Sequence, residues 1–266
     1  MKKKAVAVVM TAVMALGMVS AVSVQAGIED KTLIVGFDAE YPPYGYMDEN
    51  GEYTGFDLEL AQAVCDLEGW ELEKKPINWD SKDMELNSGS IDCIWNGFTM
   101  NGREDDYTFS EPYVDNSQVI VVADDSGIEK LTDLAGKTVG VQAASAALDL
   151  LQSEEEGGQK ELADTFGALN EFADYNTAFT ELQAGALDAL AIDVGVAKYQ
   201  LNSRGEGFKI LDETLNTEQY AIGFKKGNTE LRDQVQKTLD EMVKDGTFTT
   251  IVNNYTDYNL PEMVCL

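Results

Sequence analysis

The 266-residue sequence contains no histidine at all. This absence removes histidine-dependent nucleophile triads, histidine general bases and the commonest metal ligand of proteins. Enzyme classes that depend on these groups are therefore excluded. We expect no bound metal and no cofactor.

Cysteine is also scarce, with three residues at positions 65, 93 and 265. An odd number leaves at least one thiol unpaired within a monomer. A disulfide between Cys65 and Cys93 is one alternative. The other is that both are small buried hydrophobic residues, because Cys65 lies in an apolar helical pattern and Cys93 in an apolar strand pattern.

Basic residues are few, with 19 Lys and Arg against 48 Asp and Glu and a net charge of -29. Nucleic acid and anionic membrane surfaces are poor partners for such a chain. The acids are spread along the sequence, which indicates a solvated surface and not an acidic recognition tail.

The N-terminus has the pattern of a secretory signal peptide over residues 1–26. The basic run Lys2–Lys4 precedes an apolar stretch from Ala5 to about Val22, and small residues end at Ala26. An uncleaved membrane anchor is the alternative, because the apolar stretch approaches the roughly 20 residues that span a bilayer. No cysteine lies near the cleavage point, so a lipid anchor is disfavoured. We expect an exported protein, periplasmic or extracellular.

Short apolar runs alternate with helical patterns over the rest of the chain, which is typical of an α/β protein with largely parallel sheets. The predicted strands are Thr32–Phe37, Leu72–Trp79, Ile91–Trp95, Gln118–Ala123, Lys137–Gln142, Leu169–Ala173, Asp188–Asp193 and Tyr220–Phe224.

The helices are predicted from apolar residues at helical spacing. Phe56–Leu67 should form a helix that stops at Gly69, and Thr54 and Asp57 resemble a capping box at its start.

Four more helices are predicted in the second half of the chain, the first from about Ser145 to Gln152. Asn176 is predicted to cap a helix that ends before Gly185, and Val194–Asn202 should be helical. A long amphipathic helix before Gly246 should bury one apolar stripe in the core.

Polar and aromatic side chains follow several predicted strands at the point where each strand ends. Ligands of open parallel sheets bind in the crevice at these ends, where loops and helix N-termini converge. The candidate binding residues are Asp38, Tyr41, Trp79, Gly97, Thr99, Arg103, Ser145 and Asp193.

Several motifs of the sequence resemble bacterial extracellular solute-binding family 3, the amino-acid-binding proteins of ABC importers. The resemblance covers nearly all of the chain after residue 26. The matching motifs are Gly55–Ala61, Phe109–Tyr113, Gly136–Gln142, Ala184–Ala189, Tyr220–Phe224 and Asp245–Thr247.

The resemblance implies a two-lobe, periplasmic-binding-protein-like fold of type II. Residues 27–116 and 218–266 would form lobe 1, and residues 117–217 would form lobe 2. Two extended hinge crossovers, near Tyr113–Ser117 and Leu215–Tyr220, would let the lobes close on a ligand.

The family's carboxylate-binding role falls on Arg103, whose guanidinium fork matches a ligand carboxylate. The alternative is a surface arginine paired with Glu104 or Asp105. The run from Thr99 to Arg103 is one residue shorter than is usual in the family, which would displace Arg103 slightly.

The family's ammonium-binding roles fall on three residues. The resemblance implies that Asp193 binds the ligand ammonium, that the Gly97 carbonyl accepts from it, and that the Thr99 hydroxyl contacts either the ammonium or the carboxylate. The alternative for Asp193 is a cap on the helix Val194–Asn202. The alternative for Gly97 and Thr99 is a capped loop.

The remaining candidates would contact the other parts of the ligand. Ser145 would offer its hydroxyl and a helix N-terminus to the carboxylate, or serve only as an N-cap. Tyr41 and Trp79 would sandwich the ligand's side chain. Asp38 would favour a cationic or amide-bearing ligand, and Glu40, Asn96 and Gln142 are further selectivity candidates.

The sequence therefore predicts a binding protein that captures a polar, cationic or cystine-like amino acid and delivers it to the permease of an ABC importer. A monomer is expected. One alternative is an enzyme of the cyclohexadienyl or arogenate dehydratase kind, with Asp193 as general acid. Another is a receptor sensor module, which the lack of a second apolar span disfavours.

Overall fold

The computed structural model describes residues 31–266 and contains two large sheets and one small one. The predicted signal peptide lies outside the described residues. The strands in chain order are β1 Thr32–Phe37, β2 Glu40–Tyr41, β3 Gly45–Met47, β4 Tyr53–Thr54, β5 Glu71–Pro76, β6 Cys93–Ile94, β7 Tyr107–Phe109, β8 Val114–Ala123, β9 Thr138–Gln142, β10 Ala168–Phe172, β11 Ala189–Asp193, β12 Phe208–Ile210, β13 Asn216–Tyr220 and β14 Gly223–Lys225.

Helices connect most of these strands, so the predicted α/β class is confirmed. They are α1 Phe56–Glu68, α2 Lys82–Ser88, α3 Ala146–Gln152, α4 Lys160–Ala163, α5 Tyr175–Gln183, α6 Val194–Arg204, α7 Thr229–Asp245 and α8 Thr247–Val252. None of the helices between residues 31 and 266 is long and apolar enough to cross a bilayer.

Each large sheet forms the centre of one lobe. The first-lobe sheet has the order β5-β1-β6-β14-β7, with β1 parallel to both of its neighbours. The second-lobe sheet has the order β10-β9-β11-β8-β12, with β9 parallel to β10 and β11. Parallel strands place their carboxyl ends at one edge, so the residues that follow them converge there.

Two extended strands form the crossovers between the lobes. The first, β8, pairs antiparallel with the second, β13, from Val114↔Tyr220 to Gln118↔Asn216. The predicted lobe boundaries, at 116/117 and 217/218, fall inside these two strands. They remain a prediction, since a boundary within a continuous strand pair has no break in the backbone to mark it.

Three predicted strand boundaries were wrong. The predicted strand Tyr220–Phe224 is split, because β13 ends at Tyr220 and β14 begins at Gly223 in the other lobe. Trp79 lies in a 3-10 helix and not at a strand end. The strand predicted at Ile91–Trp95 is reduced to Cys93–Ile94.

Two predicted helix caps were also wrong. No side chain caps α1 at Gly55, and the Asp57 carboxylate instead accepts from the backbone N–H of Gly97. Asp174, not Asn176, caps α5, with its side chain accepting from Thr177 N. At α1 a tertiary contact, with Gly97, takes the side chain that was predicted to cap the helix. At α5 an acid two residues earlier in the chain caps the helix in place of Asn176.

The ends of α1 and α7 and the buried stripe of α7 agree with the prediction. Gly69 ends α1 in a left-handed conformation, and Gly246 does the same for α7. The apolar stripe of α7 is buried through Leu231, Val235, Leu239 and Met242. This stripe is core packing.

All three cysteines are free in the described residues, so the Cys65–Cys93 disulfide is wrong. Both thiols are fully buried in the first-lobe core, as the hydrophobic alternative predicted. Cys265 is exposed.

Candidate functional site

The two lobes are in direct contact across the crevice at the strand ends. Gln142, from the second lobe, donates Nε2 to Asp38 Oδ2 of the first lobe over 2.7 Å. Lys82 donates Nζ to the Ala144 carbonyl over 3.1 Å. The two lobes therefore touch across the crevice at both of these points.

Arg103 lies in the crevice with only 13% of its side chain exposed. Its Nη1 donates to the Thr99 carbonyl over 3.3 Å, and its Cζ lies 5.0 Å from the centre of the Phe98 ring. The pairing with Glu104 or Asp105 is wrong. A hydrogen bond from Arg103 N to Met100 O closes a turn, which accommodates the short run after Thr99. The turn directs the guanidinium back toward the Thr99 carbonyl.

Asp193 ends β11 and is 3% exposed. Its Oδ1 accepts from Tyr220 Oη at 2.6 Å, Gln118 Nε2 at 2.7 Å and Asn116 Nδ2 at 2.9 Å. Asp193 is the N-cap residue of α6 by position, yet its side chain makes no capping hydrogen bond. The capping alternative is therefore wrong, and the carboxylate is turned toward the crossovers.

Gly97 and Thr99 lie on the first-lobe side of this carboxylate. Gly97 N donates to Asp57 Oδ2 over 2.5 Å, and its φ of 54° is in the left-handed region. Thr99 donates its hydroxyl to Glu218 Oε1 over 2.8 Å and forms a β-bridge with Tyr220. Within the described part of the chain, no hydrogen bond ends on the Gly97 carbonyl oxygen.

Ser145 caps α3, accepting from Leu148 N at 3.2 Å and donating to the Gln142 carbonyl at 2.7 Å. The N-cap alternative accounts for these contacts, and the α3 N-terminus still faces the crevice. Ala144 has a φ of 53°, where glycine is favoured.

Tyr41 and Trp79 occupy different surroundings. The Tyr41 ring packs 5.8 Å from the Tyr44 ring and 6.0 Å from the Tyr175 ring, with its hydroxyl 3.4 Å from that of Tyr220. Trp79 packs edge-on against Phe98, with centroids 5.8 Å apart. Tyr41 therefore belongs to a tyrosine cluster at Asp193, whereas Trp79 lies at the outer part of the crevice.

Asp38 accepts from Glu40 N at 2.9 Å as well as from Gln142. Burial raises its pKa to about 6, and the nearby carboxylates of Asp174 and Glu40 add to the rise. Asp38 and Trp79 line the same cavity of about 530 Å³. The charged residues of that lining are all acids, namely Asp38, Glu40, Asp80, Glu85 and Asp174.

Sequence reasoning missed five residues whose side chains contact the candidate site residues. These are Asn116, Gln118, Asp149, Glu218 and Tyr220. Four of them lie on the crossovers, where polar residues alternate along a strand and point to one face. That alternation was the available signal. Burial, followed by the negative charge of Asp193, raises the pKa of Glu218.

The model of bacterial extracellular solute-binding proteins, family 3, matches residues 33–258 of the chain. The chain belongs to this family. Its two-lobe type II fold is shared with solved structures of the same family. Among residues 31–266, no cluster of three or more acidic or cysteine side chains has the arrangement of a metal site.

This family 3 protein is similar to binding proteins with different named ligands. It is 35% identical to the arginine-binding extracellular protein ArtP of Bacillus subtilis (strain 168), over 81% of this chain and 82% of ArtP. It is 30% identical to the L-cystine-binding protein TcyJ of Escherichia coli (strain K12), over 90% of this chain and 91% of TcyJ.

Two solved structures are also similar to this family 3 protein. One is an ABC uptake transporter substrate-binding protein from Streptococcus pneumoniae with bound histidine, with a TM-score of 0.79, 33% identity and coverage of 85% of this chain and 92% of that one. The other is the ancestral amino-acid-binding protein AncCDT-1, a precursor of cyclohexadienyl dehydratase. Its TM-score is 0.76 at 30% identity, covering 85% of this chain and 95% of that one.

Proposed function

We propose that this protein captures a free amino acid between its lobes and delivers it to the permease of an ABC importer. One observation carries the proposal. A half-buried guanidinium, Arg103, lies on one lobe, and a buried carboxylate, Asp193, lies on the other. A zwitterion that lies between the lobes would bind both groups at once, because its two ends have the opposite signs. It would take the N–H groups of Arg103 that Asp149 and Thr99 leave free.

The two ends of the zwitterion would bind different groups. The ligand carboxylate would bind the remaining N–H groups of Arg103 and the α3 N-terminus at Ser145. The ligand ammonium would bind Asp193, the Thr99 hydroxyl and the Gly97 carbonyl. Closure around these groups excludes water, which strengthens each charge-assisted hydrogen bond.

The ligand's side chain would extend past Tyr41 toward the cavity that Asp38 and Trp79 line. Five acids line that cavity, and four of them remain after Glu85 pairs with Lys75, so it favours a side chain with positive charge. A guanidinium or a second ammonium group fits this requirement. Arginine-like and cystine-like amino acids are therefore the leading candidates, in keeping with the named ligands of the two curated relatives.

The proposed setting follows from the same assignment. The protein would be exported, cleaved after Ala26 and monomeric, and it would contact the permease subunits in the closed, ligand-bound form. Residues 1–26 would guide the export. We propose a binding role without turnover.

The dehydratase alternative is a second candidate because of the similarity to AncCDT-1. It requires Asp193 to donate a proton to the substrate. In this structure three donors converge on Asp193 Oδ1, an arrangement that suits an acceptor. Incubation with prephenate or arogenate, monitored for an aromatic chromophore, separates the two functions. Formation of the chromophore would establish the enzyme.

A thermal-shift screen with the common amino acids and cystine tests the binding proposal. A ligand at 100 times its dissociation constant stabilises the folded protein by about 2.7 kcal/mol. We expect the largest shifts with arginine-like or cystine-like ligands, and no shift for the variant Arg103→Ala. If no amino acid shifts the wild type and calorimetry detects no binding, the proposal is wrong.

A further inference from the structure

A cluster of polar side chains joins the two crossovers behind the proposed ammonium site. Asn116 on β8 and Glu218 on β13 are direct partners in the antiparallel register. Gln118 lies two residues beyond Asn116 and therefore points to the same face of its strand. All three side chains are buried.

A single oxygen atom of Glu218 is the centre of this cluster. Its Oε1 accepts from Thr99 Oγ1, Asn116 Nδ2 and Gln118 Nε2, each at 2.8 Å. Among the residues that the structure describes, no lysine or arginine forms an ion pair with Glu218 or with Asp193. Two buried carboxylates are therefore held near each other by neutral donors alone.

The same two amides connect Glu218 to Asp193. Asn116 and Gln118 each donate from one nitrogen to both Glu218 Oε1 and Asp193 Oδ1. Their amide oxygens have no partner in the described structure. The NH₂ groups of these two amides must face the carboxylates of Glu218 and Asp193, because an amide oxygen in that place would repel both acids. Glu218 thereby fixes the donors that hold Asp193.

Glu218 also fixes the direction of the Thr99 hydrogen bond. A hydroxyl has one proton to donate, and Thr99 gives it to Glu218, so its lone pairs remain for a donor. The Gly97 carbonyl and Asp193 also offer acceptors. Three acceptors match the three N–H donors of a primary ammonium group.

We propose that Glu218 is a positioning residue that makes this end of the site accept an ammonium group and discriminate against ligands without one. It acts through Thr99 and, by way of Asn116 and Gln118, through Asp193. The proposal rests on the proposed function of the site. It adds a residue of the second crossover to the determinants of ligand choice.

Calorimetry with L-arginine and with argininic acid, in which a hydroxyl replaces the α-ammonium, tests the role in binding. We expect Glu218→Ala to weaken L-arginine binding at least about tenfold, since three hydrogen bonds to a carboxylate are lost. In Glu218→Ala, the ratio of the affinity for L-arginine to the affinity for argininic acid should be smaller than in the wild type. Glu218→Gln should restore affinity to within about threefold, because its amide oxygen can accept the same bonds.

Two controls separate positioning from a general loss of structure. Thr217→Ala changes the exposed neighbour of Glu218 on β13 and should leave affinity unchanged. In a Thr99→Val background, Glu218→Ala should have a smaller effect than in the wild type, because the part of its effect that passes through Thr99 is already lost. Unchanged or tighter L-arginine binding by a folded Glu218→Ala variant would overturn the proposal, as would equal losses in Glu218→Ala and Glu218→Gln.

A ligand-free measurement distinguishes failure of this proposal from failure of the proposed function. The side-chain NH₂ resonances of Asn116 and Gln118 should be slow to exchange with water in the wild type and in Glu218→Gln, and fast in Glu218→Ala. If the wild type binds no amino acid but shows this pattern, Glu218 still orders the crossovers while the ligand assignment fails. Equal exchange in all three proteins would refute the positioning role.

Discussion

Arg103 of the first lobe donates Nη2 to Asp149 Oδ2 of the second lobe over 2.7 Å. The same guanidinium donates Nη1 to Thr99 and stacks on Phe98. Asp149 lies in α3, the helix that Ser145 caps. The residue proposed to hold the ligand carboxylate is therefore also a contact between the lobes, so ligand capture and closure would depend on one side chain.

Replacing Asp149 with asparagine should loosen the closed form without abolishing binding. Asp149 is 63% exposed, and exposed ion pairs contribute about 0.2–1 kcal/mol. We expect affinity to fall by about two- to fivefold, mainly through faster ligand dissociation. Stopped-flow fluorescence would measure this rate. Asp164→Asn, which removes an exposed ion pair with Lys160 inside the second lobe, should leave it unchanged.

Arg103→Ala should abolish measurable binding of amino acids while the protein stays folded, because the guanidinium serves the ligand and not the core. Loss of charge-assisted hydrogen bonds should cost on the order of 2–5 kcal/mol. Arg103→Lys keeps the charge but not the fork and should recover only part of the affinity. Near-native affinity of the alanine variant by calorimetry would contradict the assigned role.

Gly97→Ala should weaken both folding and binding more than Gly102→Ala does. Both glycines have positive φ, so each substitution carries a conformational cost of about 1 kcal/mol. A Cβ at Gly97 would lie 2.9 Å from Tyr41 Cε1 and 3.0 Å from Tyr220 Cε2, whereas one at Gly102 meets no atom within 4 Å. Urea unfolding and calorimetry of both variants should show a binding defect in Gly97→Ala alone.

The stability of the ligand-free protein should depend on the protonation of Asp57. Burial raises the pKa of this carboxyl from 3.8 to about 7, although Gly97 N–H and the Tyr113 hydroxyl partly oppose the rise. Because the folded state holds the proton more tightly than the unfolded state, the contribution of Asp57 is greatest below pH 4. It is lost as the pH rises from about 4 to 7.

Asp57→Asn removes this titration and keeps an acceptor for Gly97. Between pH 5 and 7.5, we expect the decline in unfolding free energy to be smaller by roughly 1–3 kcal/mol in this variant than in the wild type. Urea titrations across this range measure the difference. Asp66→Asn, an exposed carboxylate on the same helix, should keep the wild-type slope, and equal slopes for all three proteins would contradict the prediction.

The fold was predicted well where local signals were strong. Strand β1 and the ends of α1 and α7 follow from apolar periodicity and from glycines that must adopt a left-handed conformation. The predicted strand boundaries were wrong where the tertiary structure determines where a strand ends. The continuous apolar pattern of Tyr220–Phe224 carries no sign that the chain leaves one lobe and enters the other between its ends.

The site was predicted in part. Arg103 and Asp193 stand out as charged residues after strands, and their roles toward a ligand stay predictions. Glu218 does not stand out, because its role depends on a register with Asn116 that only the folded crossovers create. Asp149 was missed for a similar reason. It looks like an ordinary surface acid until closure brings Arg103 to it.

The end of the chain offers a way to observe the lobes move. Cys265 donates its backbone N–H to Tyr113 O, and Val264 forms a bridge with Val114, so this thiol is attached to the start of the first crossover. The thiols of Cys65 and Cys93 are buried and should resist alkylation, whereas Cys265 is exposed. A maleimide fluorophore would therefore label one position of the native protein. Its emission would report hinge bending in real time, with no engineered cysteine.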